Sequence, residues 1–173
     1  MYFDPVTTFI YNHIMNITIL CAGKIKEKFY TDAVNEYLKR LSRYAKVSIT
    51  EVPDEKTPDG ASEKEQELIV KKEGDRMLKH ITSDAWVIAL TPGGKEYASP
   101  AFSSKIERLG IAGKSSIIFV IGGSLGLSRE VLERSDEQIG FGPMTFPHQL
   151  FRVMLLEQIY RAYRIMMGEP YHK

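Results

Sequence analysis

Six residues, Ser116 to Ile121 (SIIFVI), constrain the fold more than any other stretch of this chain. After the first serine the run is wholly apolar, with no polar residue at alternate positions. A strand with water on one face alternates; a strand covered on both faces does not. Strands covered on both faces belong to parallel sheets, whose long connections are usually helices. Ala85 to Leu90 (AWVIAL) has the same character, and Ile17 to Cys21 (ITILC) is close to it. Val47 to Val52 reads as a further strand and Glu137 to Phe141 as a brief last one.

Helical periodicity fills the gaps. Tyr30, Ala33, Val34, Tyr37, Leu41 and Tyr44 mark one face of a helix over about 27–43. Ser62 with Glu65 three residues on forms a capping box and starts a helix that runs to about Lys79. Gly74 inside it costs about 1 kcal/mol against alanine, which a close packing contact would explain. Ser99-Pro100 opens a helix to about Leu109, with proline in the first turn. A short helix follows Gly126, and a long one follows His148. The alternation implies an α/β fold with a mainly parallel sheet and helices on both faces. Three loops then meet at the carboxyl ends of the strands: Thr91 to Lys95, the glycine turn after Ile121, and the stretch after Phe141. In open α/β sheets ligands bind at that edge.

At 173 residues the chain reads as one domain, over 15–173. Residues 1–14 lack the pattern of a signal peptide and read as a poorly ordered extension. With 23 basic and 22 acidic residues, a strongly basic total gives no argument for nucleic-acid binding. Lys24, Lys26, Lys28, Lys39, Arg40, Arg43 and Lys46 nevertheless make the first helix and its flanks locally basic. A solvated helix face and a phosphate-contacting patch both account for that run. Cys21 stands alone and reads as a small buried hydrophobe, in keeping with a reducing cytoplasm. No run approaches the ~20 apolar residues of a membrane span. Four histidines in unrelated contexts and no paired cysteines give no metal-ligand set.

IGGSLGL follows a strand and precedes a helix, where phosphates are often held. It matches neither the dinucleotide fingerprint nor the nucleotide-triphosphate loop. No acidic residue closes a following strand at the dinucleotide distance of about 20 residues. A structural turn and a loop that lets the backbone approach a flat ligand both fit the spacing.

FVIGGSLGL, MTFPHQLFRVMLLEQIYRAYRI and the terminal PYHK carry a resemblance, joined upstream by ITILCAGKIKEKFY, EVPDEK and KKEGDRML. Over Met15 to Lys173 the chain resembles the small SPOUT-class methyltransferases of 23S ribosomal RNA, the ribosomal large subunit methyltransferase H family. The resemblance implies a C-terminal trefoil knot, a homodimer and S-adenosyl-L-methionine as methyl donor. It implies a target at N3 of a pseudouridine in helix 69 of 23S rRNA, reached on the assembled ribosome. It implies a cofactor pocket lined by Leu90, Gly122, Phe141, Gly142, Pro143, Met144, Thr145 and Phe146. Many relatives carry serine with lysine or alanine where Gly142-Pro143 stands, and Pro143 offers only a carbonyl.

Methyl transfer to an imide nitrogen requires removal of its proton, so a base or a stabiliser of the anion is expected. His148, Glu157, Tyr171 and His172 are the catalytic candidates. Glu157, Arg161 and Arg164 fall at i, i+4 and i+7 and share a face, as do His148 and Arg152. An ordinary ion pair explains Glu157 and Arg161 equally well. Tyr171 would stack on or hydrogen-bond the base, His172 would take a proton, and Lys173 would contact a phosphate or the anionic base. Leu155, Leu156, Ile159, Tyr163 and Met166 form a core stripe; Leu150, Val153 and Met154 lie on other sides, which predicts a dimer contact. Gly122→Val is expected to abolish cofactor binding in a protein that still folds. Two competing readings remain: a non-catalytic RNA- or ribosome-binding dimer on the same fold, and a dinucleotide enzyme, which the missing fingerprint disfavours.

Overall fold

The computed structural model describes residues 14–171. Five strands alternate with five helices. They are β1 (Asn16–Ala22), α1 (Lys28–Leu41), β2 (Lys46–Val52), α2 (Glu63–Leu78) and β3 (Trp86–Glu96). After them come α3 (Ser99–Ile111), β4 (Ser116–Ile121), α4 (Arg129–Arg134), β5 (Glu137–Gly140) and α5 (His148–Met166). The sheet order is β2-β1-β4-β3-β5, and every pairing is parallel. The expected α/β architecture is therefore present, with β4 at the centre.

Side chains of the central strands alternate between two cores. Ile17, Ile19, Cys21, Ile88, Ile117, Phe119 and Ile121 face α1, α3 and α5. Leu20, Ala22, Val87, Ile118 and Val120 face the side of α2 and α4, where Met77 and Val131 pack on them. This two-sided burial is why β4 carries no polar alternation. Cys21 is wholly buried, and burial pushes its thiol up to about 12. It is inert packing.

The expected loop at Thr91 to Lys95 is corrected. β3 continues to Glu96, and the chain from Leu90 to Lys95 bulges. Both Leu90 and Lys95 pair with Ile139, so the intervening residues stand out of register. A bulge of this kind bends an edge and re-aims its neighbours.

Ser62 caps α2 as expected, with the full reciprocal box to Glu65. A Cβ on Gly74 would lie 2.7 Å from Cβ of Ser128, the residue that caps α4. The close contact that offsets the helix penalty is therefore a side chain on the neighbouring helix start.

α5 follows β5 at the sheet edge and packs against both α1 and α3 on one face of the sheet. Leu155, Leu156, Ile159 and Tyr163 are buried as the stripe predicted, while Met166 is only partly buried. Arg152 is the exception: fully buried on an otherwise apolar face.

Candidate functional site

The carboxyl ends of β3, β4 and β5 enclose a cleft of about 510 Å³. Leu90, Ile121, Phe141, Phe146 and Phe151 give it apolar walls; Gly122, Gly123, Ser124, Gly142, Met144 and Thr145 complete the lining. The three predicted strand-end segments do come together here. Of the eight residues expected to line a cofactor pocket, seven line this cleft: Leu90, Gly122, Phe141, Gly142, Met144, Thr145 and Phe146. Pro143 is exposed and is not part of the wall.

Gly122 plays a different part from the one expected. An added Cβ would sit 2.5 Å from the Gly126 carbonyl carbon, inside the loop's own turn rather than in the cleft. Gly123 and Gly126 close this turn through a bridge, and Gly126 has a φ of +86°. The glycines are first a condition for the turn, and through it for the cleft.

Beneath the turn lies Glu73 of α2, 4% exposed. Its Oε1 accepts the Glu55 N–H at 2.8 Å, and its carboxylate lies against Gly123. Burial pushes its pKa up, and the charges of Asp54 and Glu55 add to that. Thr57 and Ser124 are hydrogen-bonded through their hydroxyls at 3.3 Å. Loop 53–57 is thereby tied to the cleft wall.

His148 also lines the cleft, at the first turn of α5. Burial lowers its pKa, and the nearby Arg152 guanidinium lowers it further. Both effects favour the neutral imidazole. Arg152, one turn on, donates to Gly23 O at 2.7 Å and Ala22 O at 3.2 Å, and pairs with Glu51 at 2.5 Å. It ties the end of β1 to the start of α5. The sequence reading placed Arg152 beside His148 but missed this anchoring role. An arginine amid an apolar stripe was the available signal.

Glu157 and Tyr171 form a second centre. Glu157 lies nine residues along α5 from His148, about 13 Å at the usual rise. Glu157 Oε1 meets Arg161 Nη2 at 2.6 Å and accepts the Tyr171 hydroxyl at 3.1 Å. Gln158 donates to Glu157 Oε2 at 2.8 Å and its own Oε1 accepts the Ser99 hydroxyl at 2.8 Å. The Arg161 guanidinium lies 4.8 Å over the Tyr171 ring, and Tyr160 meets that ring edge-on at 5.1 Å. Burial and then the Glu157 charge push the Tyr171 phenol up to about 12. Arg164 turns instead to Glu169 at 2.9 Å and the Tyr160 hydroxyl at 3.2 Å. Within one chain Tyr171 therefore does not fold back onto the cleft. His172 and Lys173 lie outside the described residues, as does the 1–14 extension apart from Ile14.

Between the centres lies a smaller cleft of about 300 Å³, which shares Phe141 and Gly142 with the first and reaches Gln158. Among the described residues no cluster of histidine, cysteine and carboxylates could hold a metal ion, and no helix is long and apolar enough to cross a membrane.

A family model described as "Predicted SPOUT methyltransferase" matches residues 15–172. The chain is 64% identical over 159 residues to the ribosomal RNA large subunit methyltransferase H of Clostridium tetani, covering 92% of this chain and all of that protein. It is 58% identical over the same length to the protein of that name from Clostridium kluyveri, with the same coverage. Among solved structures, a putative methylase family protein from Neisseria gonorrhoeae superposes with a TM-score of 0.52 at 13% identity, covering 84% of this chain and 82% of that one. That last likeness is one of fold.

Proposed function

The chain belongs to the SPOUT methyltransferases, in the family of ribosomal RNA large subunit methyltransferase H, and from that premise we propose that it methylates 23S rRNA with S-adenosyl-L-methionine. The target is N3 of a pseudouridine in helix 69, on the assembled ribosome in the cytoplasm. The observation that carries this reading is the 510 Å³ cleft built from three strand ends.

The cleft fits that donor. Its walls are largely apolar and aromatic, and in its one titratable wall residue, His148, burial favours the neutral imidazole. No fixed positive charge lines it to oppose a sulfonium. The donor would supply an electrophilic methyl group. Leu90, Gly122, Phe141, Gly142, Met144, Thr145 and Phe146 would hold it and exclude water, while Pro143 faces away from it.

The N3–H proton must leave as the N–C bond forms. Tyr171, set by Glu157 and Arg161, would position the base; His172 would accept the proton. His148 reaches the cleft from the other side. The two centres are too far apart along one α5 to meet on one base, and a two-fold dimer would bring one protomer's tail to its partner's cleft. Leu150, Val153 and Met154 are all partly buried on α5 and would contribute to that contact.

Calorimetry should show binding of S-adenosyl-L-methionine, and sedimentation a dimer at micromolar concentration. Mass spectrometry of 23S rRNA should show the pseudouridine unmethylated in a deletion strain and methylated on restoring the gene. Cofactor binding with no methyl transfer to ribosomes would favour a non-catalytic ribosome-binding dimer. A folded protein that binds no S-adenosyl-L-methionine would overturn the proposal.

A further inference from the structure

The loop between β1 and α1, Gly23 to Glu27, runs beside the cleft and has no part in forming it. It is held more firmly than its surface position requires. Arg152 donates to Gly23 O, Glu51 accepts the Ile25 N–H at 3.2 Å, and Gln149 Oε1 accepts the Lys26 N–H at 2.7 Å. Gln149 directly follows His148 of the cleft wall. These anchors fix the backbone and leave the side chains outward.

Lys24, Lys26 and Lys28 are all exposed, and Phe29 is 62% exposed with its ring 4.2 Å from that of Tyr30. Lys28 is paired with Asp32 and Glu51 with Arg152, and Glu27 and Asp54 are the other acids beside the loop. Lys24 and Lys26 form none of the ion pairs among the described residues. Protein–protein interfaces are depleted in lysine, so an aromatic ring among three lysines suits a subunit contact poorly. It suits single-stranded nucleic acid: the ring offers a stacking face and the ammonium groups meet phosphates.

We propose that Lys24, Lys26 and Phe29 form an RNA-docking surface that holds unpaired nucleotides flanking the base presented to the cleft. This rests on the reading of the cleft as the site of rRNA methylation. Bases in RNA loops are unstacked and available to an aromatic ring, whereas the narrow major groove of an RNA helix is not. The surface sets substrate affinity and takes no part in the chemistry.

The test is ribosome binding by co-sedimentation across a salt series, with calorimetry of S-adenosyl-L-methionine as the control for an intact cleft. Lys24→Ala and Lys26→Ala should each reduce the slope of log affinity against log salt by about 0.7–1. Phe29→Ala should weaken ribosome binding roughly tenfold, in the range of one lost base–aromatic stack, and Phe29→Trp should restore it. In methylation assays these variants should raise KM for ribosomes and leave kcat and cofactor affinity unchanged. Unaltered binding and salt slope in the alanine variants would overturn the proposal. So would a shift of Phe29→Ala from dimer to monomer, which would make the ring a subunit contact. If the protein binds ribosomes through these residues but methylates nothing, the surface stands and the catalytic reading falls.

Discussion

The two centres of this molecule are built in opposite ways. The cleft at the strand ends is open, walled by apolar side chains and loop backbone, and nearly free of charge. The centre around Glu157 and Tyr171 is a closed set of hydrogen bonds and ring contacts on the far turns of α5. The first can enclose a ligand but has little means of moving a proton. The second holds charged and hydroxyl groups in order but encloses no comparable space. On the reading proposed above, donor binding and proton handling would be separate, and each could be tuned without disturbing the other. On that reading a single chain would be incomplete until a partner's tail bridged the gap.

The comparison breaks most completely at Gly122. With a Cβ placed 2.5 Å from the Gly126 carbonyl carbon, Gly122→Val must distort the turn that walls the cleft. Calorimetry should find S-adenosyl-L-methionine binding lost, with altered amide exchange across 122–126. The protein should also melt earlier, which corrects the simpler expectation of an undisturbed fold with a blocked pocket. Normal binding would show that the loop is not part of the donor site.

Removing residues 171–173 takes Tyr171 out of the second centre and leaves the cleft lining in place. Single-turnover methyl transfer should fall on the order of 10²–10⁴-fold, the usual contribution of positioned acid–base groups. Cofactor affinity and the sedimentation coefficient should stay near those of the full chain. Full activity after truncation would leave proton removal to His148 or to the RNA.

Arg152 tests the link between the regions, since it anchors the start of α5 beside the cleft to the end of β1. Arg152→Ala leaves two buried carbonyls without this donor and removes the cation from Glu51, which keeps the Ile25 N–H. Denaturant unfolding should show a loss of about 1–3 kcal/mol, the cost of leaving a buried acceptor unmet. A loss under ~1 kcal/mol would mean that water replaces the guanidinium without cost.

The architecture was legible because local signals agreed with the global fold. Uniformly apolar strands, the capping box at Ser62 and the helix after Pro147 all specify what they form. So did the convergence of the cleft walls, since parallel strands deliver their carboxyl ends to one edge. Misreadings came from long-range contacts. Pro92 and two glycines argue for a loop, yet pairing of Lys95 and Glu96 with β5 carries the strand through them. Arg152 finds its carbonyls about 130 residues away in sequence, which periodicity cannot show. Gly122 looked like a space left for a ligand because its Gly126 contact depends on how the turn closes. Helical spacing gave the Glu157–Arg161 pair, but not that Tyr171 would complete it.

The smallest expected effect concerns the charge of the cleft. His148 is held below its ordinary pKa, first by burial and then by the Arg152 guanidinium. In the unfolded chain the imidazole takes up a proton near pH ~6.5; in the folded chain it resists until lower pH. Its share of stability is therefore fully present above pH ~6.5 and declines as pH falls from there toward the folded value. Protonation would also place a cation in the wall facing a sulfonium. Wild-type affinity for S-adenosyl-L-methionine should weaken as pH drops below ~6, and His148→Gln should flatten both that curve and the fall in melting temperature. At pH 8, where both side chains are neutral, the two proteins should bind alike to within roughly twofold, about 0.4 kcal/mol. A His148→Gln variant with wild-type pH curves but much slower methyl transfer would instead assign the imidazole to the chemistry, and would join the two centres that the single chain keeps apart.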